Sequence, residues 1–423
     1  MRWIIKSATI VDPNGPLNGK KRDLLIENGI VQDIKSKLPE TEGASVIEGS
    51  GLCLSLGWLD LGARFCDPGG EIKEDLTSGL DAAASGGFTE VVVFPSTSPP
   101  VDQKASVEYL SRSSAVHAVK VLPAGCISHK RKGKQLAEMV DMHLAGAVAF
   151  TDDTPIDNSD LMNKALEYSK SFNGLIFSTA YNSELIEGGQ MHEGLISTQL
   201  GLKGIPAISE NIRVARDLEL LRYTNGKMHI FGISSQRSIE LIKKAKKEGL
   251  KVTASVAAHQ LAYSEEDLLN FDSNLKVQPP FRSKKDRQSL IKALKEGTID
   301  AVHSDHNPQQ IEDKKREFEY AKEGISSIQT CFSFLLNSSN KQLDLEQIVE
   351  VLSHGPRKVL GIEAIPIAKG MKANFTLFST EQSTAFNSEN WRSKSKNNPL
   401  MNTSSVGFIK GIINGDQVVL NKD

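Results

Sequence analysis

The chain has few of the features that mark secreted, membrane or nucleic-acid-binding proteins. Its 423 residues include only four cysteines, which lie far apart without a Cys-x-x-Cys pair, so the sequence does not predict a disulfide framework. No apolar run approaches the roughly 20 residues of a membrane span, and the start of the chain reads as a strand and not as a signal peptide. The formal net charge of −2, without a basic stripe, argues against nucleic acid. We therefore expect a cytoplasmic protein with reduced thiols that binds neither membrane nor nucleic acid.

The pattern of apolar residues changes along the chain. The first 54 residues read as β-strands, including two strands around the Asn28-Gly29 turn. Thereafter short apolar runs alternate with helical patterns that often end at glycine. The predicted strands lie at residues 57–62, 90–95, 119–125, 146–151, 174–179, 227–232, 250–256 and 298–304.

Eight successive βα units predict a (β/α)8 TIM barrel. A doubly wound open sheet is the alternative, but no GxGxxG motif follows the early strands. After about residue 365 the β pattern returns, so both chain ends are expected to form one small β-sandwich-like domain. The predicted ranges are 1–54 with 365–423 for this domain, and 55–364 for the barrel. The polar tract at 379–399 is predicted to be a long surface loop.

Enzymes built on such barrels carry their chemistry at the carboxyl ends of the strands. The candidate residues at these ends are polar or unexpectedly small. In chain order they are Asp60, Gly62, Arg64, Ser96, Asp152, Asp153, Thr179, Gly232, His259, His303, Asp305 and His306.

Several longer segments together resemble one family. They include "EDLTSGLDAAASGGFTEVVVFPSTSP", "LGLKGIPAISENIRVARDLELL", "KVQPPFRSKKDRQSLIKALKEGTIDAVHSDHNP" and "SKSKNNPL". In content and order they resemble a dihydroorotase of the amidohydrolase superfamily, of the type associated with aspartate carbamoyltransferase, over nearly the whole chain. The resemblance implies a zinc-dependent hydrolase of a cyclic amide in pyrimidine biosynthesis.

The resemblance also implies which positions should hold zinc. Active members use two histidines of an Asp-x-His-x-His segment, a carboxylate or modified lysine from strand 4, one histidine each from strands 5 and 6, and an aspartate from strand 8. All four histidines are missing from this chain. The family ligand positions are here Gly62, Arg64, Asp152 or Asp153, Thr179, Gly232 and Asp305.

The family's substrate contacts are altered as well. The arginine two residues after the second histidine is Cys66, and the asparagine after strand 2 is Ser96. A second asparagine, before two prolines, is Gln278, whereas Arg282 and His306 keep the family's residue types. The resemblance thus implies a pocket lined by Arg64, Ser96, Gln278, Arg282 and His306, with Asp305 at the family's catalytic position.

These replacements bear directly on metal binding. Glycine has no side chain, and a guanidinium stays protonated and repels a cation. Two carboxylates alone are too few for a tight zinc site. We therefore expect no metal and no cofactor here, with zinc only if the site has been rebuilt from other groups.

Arg64 suggests a more specific hypothesis. Two carboxylates that face one cavity repel each other, and an arginine could supply the positive charge that zinc supplied. The hypothesis places the guanidinium against Asp305 and against Asp152 or Asp153. The alternative is that Arg64 points to solvent and that the strand 4 aspartates only cap the following helix.

Three functions fit this sequence. The first is a non-catalytic dihydroorotase homologue that acts as a structural or regulatory partner of aspartate carbamoyltransferase and forms a homo-oligomer. The second is an active dihydroorotase, or a related cyclic amide hydrolase, with a rebuilt metal site. The third is a small-molecule sensor in which Arg64, Arg282 and His306 hold an anionic ligand.

Overall fold

The structure is a computed structural model that describes residues 2–39, 42–339 and 342–422. Residues 1, 40, 41 and 423 of the predicted small domain, and residues 340 and 341 of the predicted barrel, lie outside the described residues.

The described residues form strands and helices that alternate through most of the chain. The strands are β1 (Arg2–Ile10), β2 (Lys21–Glu27), β3 (Ile30–Lys35), β4 (Ser45–Ile47), β5 (Cys53–Leu56), β6 (Trp58–Ala63), β7 (Phe88–Val93), β8 (Lys120–Gly125), β9 (Ala149–Phe150), β10 (Ile176–Thr179), β11 (Met191–His192), β12 (Gly204–Ile205), β13 (Met228–Phe231), β14 (Val252–Ala257), β15 (Ala301–His303), β16 (Asn374–Phe386), β17 (Thr403–Asn414) and β18 (Gln417–Leu420). The helices are α1 (Leu76–Ser85), α2 (Lys104–Ser113), α3 (Met139–Leu144), α4 (Ser159–Lys170), α5 (Ser183–Ile186), α6 (Leu195–Leu200), α7 (Ile208–Thr224), α8 (Gln236–Lys247), α9 (Ala258–Ala262), α10 (Lys284–Lys295), α11 (Ile311–Lys314), α12 (Cys331–Ser339), α13 (Leu345–Val349) and α14 (Gly355–Leu360).

Eight parallel strands form the barrel, in the order β6-β7-β8-β9-β10-β13-β14-β15. Each overlaps one of the eight strands predicted from the sequence, so the (β/α)8 barrel is confirmed. The ring closes between β6 and β15, where Ala63 bridges to His306. Below this bridge the buried Asp60 carboxylate accepts bonds from the Ser304 N–H at 2.7 Å and the Ser304 hydroxyl at 2.5 Å.

The strand sequences explain this architecture. Parallel barrel strands are covered on both faces, so they read as continuous apolar runs. All six residues of β7 are buried, and so are all six of β6. Helix α8 shows the one-sided burial of an amphipathic helix: Ile239, Ile242 and Ala245 are buried at helical spacing, and its lysines lie on the other face.

Both chain ends contribute to one separate sheet, as predicted. Its order is β18-β17-β16-β5-β1-β2-β3, with β4 paired to β1. The predicted hairpin is present, and its turn residues Asn28 and Gly29 have φ values of 49° and 72°, as a tight hairpin of this kind requires. Strand β5 lies in this sheet although it spans the predicted boundary at residue 54, and the two domain ranges stay predictions.

The predicted surface loop at 379–399 is wrong in its first part. Strand β16 continues to Phe386 and pairs with β17 as far as Phe386 opposite Thr403. The polar run was misleading because this arm is exposed on alternate residues, while Phe386 at its end is buried. None of the helices in the described parts of the chain combines the length and the apolar character needed to cross a bilayer.

A buried ion pair fixes the bottom of the barrel and gives a test of the fold. Arg357 of α14 donates to Glu90 of β7 at 2.6 Å and to the Gly57 carbonyl at 2.7 Å. We predict that Arg357→Met lowers the free energy of unfolding by about 3–5 kcal/mol, because it leaves a buried carboxylate unpaired. The neighbouring Lys358→Met removes the same charge from an exposed position and should change stability by less than about 0.5 kcal/mol in denaturant titration. An equal loss of stability in the two variants would contradict a stabilising role of the Arg357–Glu90 ion pair.

Candidate functional site

Arg64 forms the centre of the site at the carboxyl end of the barrel. Its Nε and Nη2 donate to the two carboxylate oxygens of Asp153 at 2.7 and 2.6 Å, and its Nη1 donates to Asp305 at 2.9 Å. The Arg64 side chain is 20% exposed, and the two aspartates are 5% and 12% exposed. The predicted contact of Arg64 with two carboxylates is therefore confirmed.

The barrel brings these three side chains together because each follows a different strand. Arg64 comes directly after β6, Asp153 lies three residues after β9, and Asp305 lies two residues after β15. Asp153 and Asp305 have φ values of 54° and 50°, a left-handed backbone that aspartate tolerates better than most residues. From these turns both carboxylates reach the Arg64 guanidinium.

Asp153, not Asp152, is the strand 4 residue that faces the site. The Asp152 carboxylate turns away and accepts bonds from the backbone N–H groups of Ile127 and Ser128, both at 2.9 Å, and from the Ser128 hydroxyl. Asp152 therefore orders the loop after β8 and does not cap a helix.

Gly62 is small because aromatic rings occupy the space that a side chain would need. A Cβ at this position would lie 2.5 Å from Cζ of Phe94 and 2.7 Å from Cζ of Phe231. These two rings pack edge to face, with centroids 4.9 Å apart, and the Arg64 guanidinium carbon lies 5.6 Å from the Phe94 centroid. An imidazole at position 62 would require both rings to move.

The other two family ligand positions line a cavity of about 210 Å³ above the Arg64 cluster. Thr179 and Gly232 form part of its wall, and Gln278 forms another part. Gly232 has a φ of 72°, which glycine adopts without a steric penalty. Neither position supplies an imidazole to this cavity.

Two buried histidines adjoin the aspartates without occupying family ligand positions. His303 stacks on Phe231 with centroids 3.9 Å apart, and neither of its ring nitrogens has a hydrogen-bond partner among the described residues. Burial lowers the pKa of His303 to about 3, which keeps the ring neutral. His259 Nε2 lies 3.5 Å from the Asp305 carboxylate.

Two residues expected in the pocket have structural roles outside it. Arg282 is buried, and it donates to the Ile205 carbonyl at 2.9 Å and to the Ser234 hydroxyl at 3.0 Å. The His306 ring lies 3.2 Å from the buried Glu74 carboxylate. Both side chains are held away from the cavity by these partners.

Ser96 and Cys66, at the family's substrate positions, also lie outside the cavity wall. Cys66 is half-buried, and burial raises the pKa of its thiol to about 11, so it is a poor nucleophile. Of the expected pocket residues, the structure brings together Arg64, Gln278 and Asp305.

Arg64 and Asp305 are held in their ionised forms. Burial raises the pKa of Asp305, but the contact with His259 and the charge of Arg64 outweigh it and hold this pKa well below its ordinary value. Burial lowers the pKa of Arg64, and the opposite effect of Asp153 and Asp305 is larger, so the guanidinium stays protonated. The single positive charge of Arg64 thus offsets one of the two negative charges.

The residues at this site do not fit zinc. Asp153 and Asp305 are engaged by a cation, and the remaining family positions carry no nitrogen, sulfur or carboxylate ligand. Within the described ranges, no group of three or more His, Cys, Asp or Glu side chains is arranged to hold a metal ion. Activation of water through a metal would need ligands that these family positions do not carry.

Sequence reasoning missed the two phenylalanines that fill the site. Phe94 and Phe231 end apolar strand runs and look like ordinary core residues. The available signal was their position: Phe231 directly precedes the glycine at one family ligand position, and Phe94 follows the strand beside Gly62.

Both a family model and curated proteins match this chain. Residues 51–238 match the family model described as dihydro-orotase-like. Proteins named dihydroorotase from Syntrophus aciditrophicus and Geobacter metallireducens are 37% and 36% identical to it, and in both cases the match covers 100% of each chain.

Solved structures show the same fold at lower identity. An L-hydantoinase from Arthrobacter aurescens superposes with a TM-score of 0.85 at 22% identity, covering 99% of this chain and 96% of its own. A D-hydantoinase superposes with a TM-score of 0.83 at 21% identity, covering 100% and 95%. These neighbours show the barrel with its terminal sheet.

The ion pair gives a prediction about stability and pH. Arg64→Met leaves two buried carboxylates without their cation and should lower the free energy of unfolding by about 3–5 kcal/mol near neutral pH. In the native chain the pKa of Asp305 is depressed, so its stabilising contribution is present above its unfolded pKa of about 3.9 and is lost as the pH falls. In the variant, the carboxylates should take up protons at higher pH than in the unfolded chain. The difference in free energy of unfolding between the native chain and Arg64→Met should therefore become smaller as the pH is lowered from about 7 to about 4.

Denaturant titrations of both chains across this range measure the gap, and the double variant Arg64→Met/Asp305→Asn should recover part of the loss. A gap that is small or independent of pH would contradict the role assigned to Arg64.

The phenylalanine packing gives a second prediction. Gly62→Ala should lower stability by about 1–3 kcal/mol, because its Cβ overlaps both rings. Phe231→Leu should also destabilise alone, but the double variant Gly62→Ala/Phe231→Leu should lose less than the sum of the two, as a double-mutant cycle in denaturant measures. Strictly additive losses would show that a Cβ at position 62 does not contact the Phe231 ring and would contradict the overlap.

Proposed function

The chain belongs to the dihydroorotase family, and we propose that it is a member whose barrel no longer hydrolyses a cyclic amide. One observation carries the proposal: the Arg64 guanidinium binds both carboxylates that remain of the family's metal site. A metal hydrolase generates its nucleophile by lowering the pKa of a bound water and polarises the carbonyl that is attacked. An arginine neutralises carboxylates but does neither.

The surrounding packing supports the same proposal. A side chain at position 62 would overlap Phe94 and Phe231, so a single reversion to histidine would not rebuild the site. The positions of the family's substrate arginine and asparagine, now Cys66 and Ser96, also lie outside the cavity wall. The changes at the metal positions and those at the substrate positions therefore both support the proposed loss of hydrolysis.

An active dihydroorotase with a rebuilt site is the competing candidate. It is favoured by identity of 37% along the whole chain to a curated dihydroorotase. His259 and His303, beside Asp305, would then have to take part in the rebuilt site. This candidate requires the Arg64 side chain to leave both aspartates.

The decisive assay follows the interconversion of dihydroorotate and carbamoyl aspartate in both directions, with and without added zinc. We predict no turnover above the uncatalysed rate at enzyme concentrations at which an active dihydroorotase, assayed in parallel, gives a clear signal. Turnover that depends on zinc and is lost in Asp305→Asn would establish the competing candidate.

We propose that the retained barrel acts as a structural or regulatory partner of aspartate carbamoyltransferase and assembles as a homo-oligomer. The support is the family relationship, together with a framework that remains intact around the altered site. Co-expression with the aspartate carbamoyltransferase of the same organism should yield a complex of defined mass in light scattering, and the partner alone should not be retained on the affinity resin. Two separate peaks at micromolar concentration would contradict the pairing.

A further inference from the structure

The cavity above the Arg64 cluster carries two charged groups that the ion pairs leave unused. Arg131 and Glu323 both line it. Arg131 donates through Nε to the Asp152 carbonyl at 2.7 Å. In the described part of the chain, neither the terminal guanidinium nitrogens of Arg131 nor the carboxylate of Glu323 has an ion-pair or hydrogen-bond partner.

These two groups belong to opposite sides of the barrel. The bond to the Asp152 carbonyl places the Arg131 side chain beside the end of β9. Glu323 is held beside the end of β15, where the Asn307 N–H donates to the Ile325 carbonyl at 2.8 Å. In the closed ring, β9 and β15 are separated by three strands in either direction. A half-buried guanidinium and an exposed carboxylate therefore line opposite sides of one cavity.

The wall between them offers neutral polar groups. The Nε2 of Gln278 and both ring nitrogens of His303 are buried and have no protein partner among the described residues. Buried polar atoms of this kind are normally satisfied by a ligand or by ordered water. The volume of about 210 Å³ has room for roughly seven water molecules, which suits a molecule of amino-acid size and is too small for a nucleotide.

We propose that this cavity binds a small zwitterion of the amino-acid class, with its carboxylate at Arg131 and its ammonium group at Glu323. The Arg64 cluster forms the floor and carries more negative than positive charge, which favours a ligand with an ammonium group over a simple anion. Gln278 and His303 contribute hydrogen bonds along the length of the ligand. The inference rests on the proposed loss of the metal, because it leaves Arg64 in place on both aspartates.

The test uses the full chain and a series of ω-amino acids: glycine, β-alanine, 4-aminobutyrate and 5-aminovalerate. Isothermal titration should show saturable binding with a maximum at one chain length. That ligand should bind at least about tenfold more tightly than the matched carboxylic acid and the matched amine, each of which lacks one charge. Equal affinity for either single-charge analogue, or no saturable binding by any member of the series, would overturn the proposal.

Two variants test which residue binds the carboxylate of the ligand and which binds its ammonium group. Arg131→Met should reduce the affinity for the best ω-amino acid to that of the matched amine, and Glu323→Gln should reduce it to that of the matched acid. Lys132→Met and Glu317→Gln remove the same charges from exposed positions outside the cavity and should leave binding unchanged. Unchanged binding in Arg131→Met or Glu323→Gln would overturn the proposal, and melting temperatures close to that of the native chain would show that both variants fold.

The two proposals fail separately. Zinc-dependent turnover of dihydroorotate would end the proposed loss of catalysis. If the chain shows no turnover and no selectivity for a zwitterion, only the proposed zwitterion site is refuted.

Discussion

Two carboxylates that face one buried cavity need a cation, and the arrangement of this site depends on that constraint. Isolated buried carboxylates are costly, and like charges at close range raise each other's pKa. In this chain Arg64 meets the requirement with three hydrogen bonds of 2.6 to 2.9 Å to Asp153 and Asp305. The bidentate contact with Asp153 also fixes the plane of the guanidinium, which a lysine would not do.

The neighbouring replacements are consistent with this ion pair. A glycine at position 62 leaves space that Phe94 and Phe231 fill, and the Phe94 ring lies beside the guanidinium. The ring of Phe231 in turn stacks on His303. A buried void loses packing energy, so a site that had lost its imidazoles without such filling would be unstable. Arginine and two aromatic rings thus supply the charge and the volume of the centre.

The fold was largely predictable from the sequence, and the detailed site only partly so. Strand runs such as residues 90–95 are apolar throughout because both faces are covered, and this pattern revealed the barrel. The contact of Arg64 with two aspartates was one of two alternatives that the sequence left open, and the argument for it used the family ligand positions together with charge. The roles of Arg282 and His306 were not predictable, because their partners Glu210 and Glu74 come from distant parts of the chain. The same holds for Phe94 and Phe231, whose meeting over Gly62 depends on the three-dimensional closure of the barrel.

The most direct measurement is the zinc content of the purified full-length chain, by elemental analysis after expression in zinc-supplemented medium. If Arg64 has replaced the metal, the native chain carries no stoichiometric zinc, and an active dihydroorotase purified in parallel carries its full complement. One or more zinc ions per native chain, lost in Asp305→Asn, would show that the carboxylates bind metal and that Arg64 does not occupy its place.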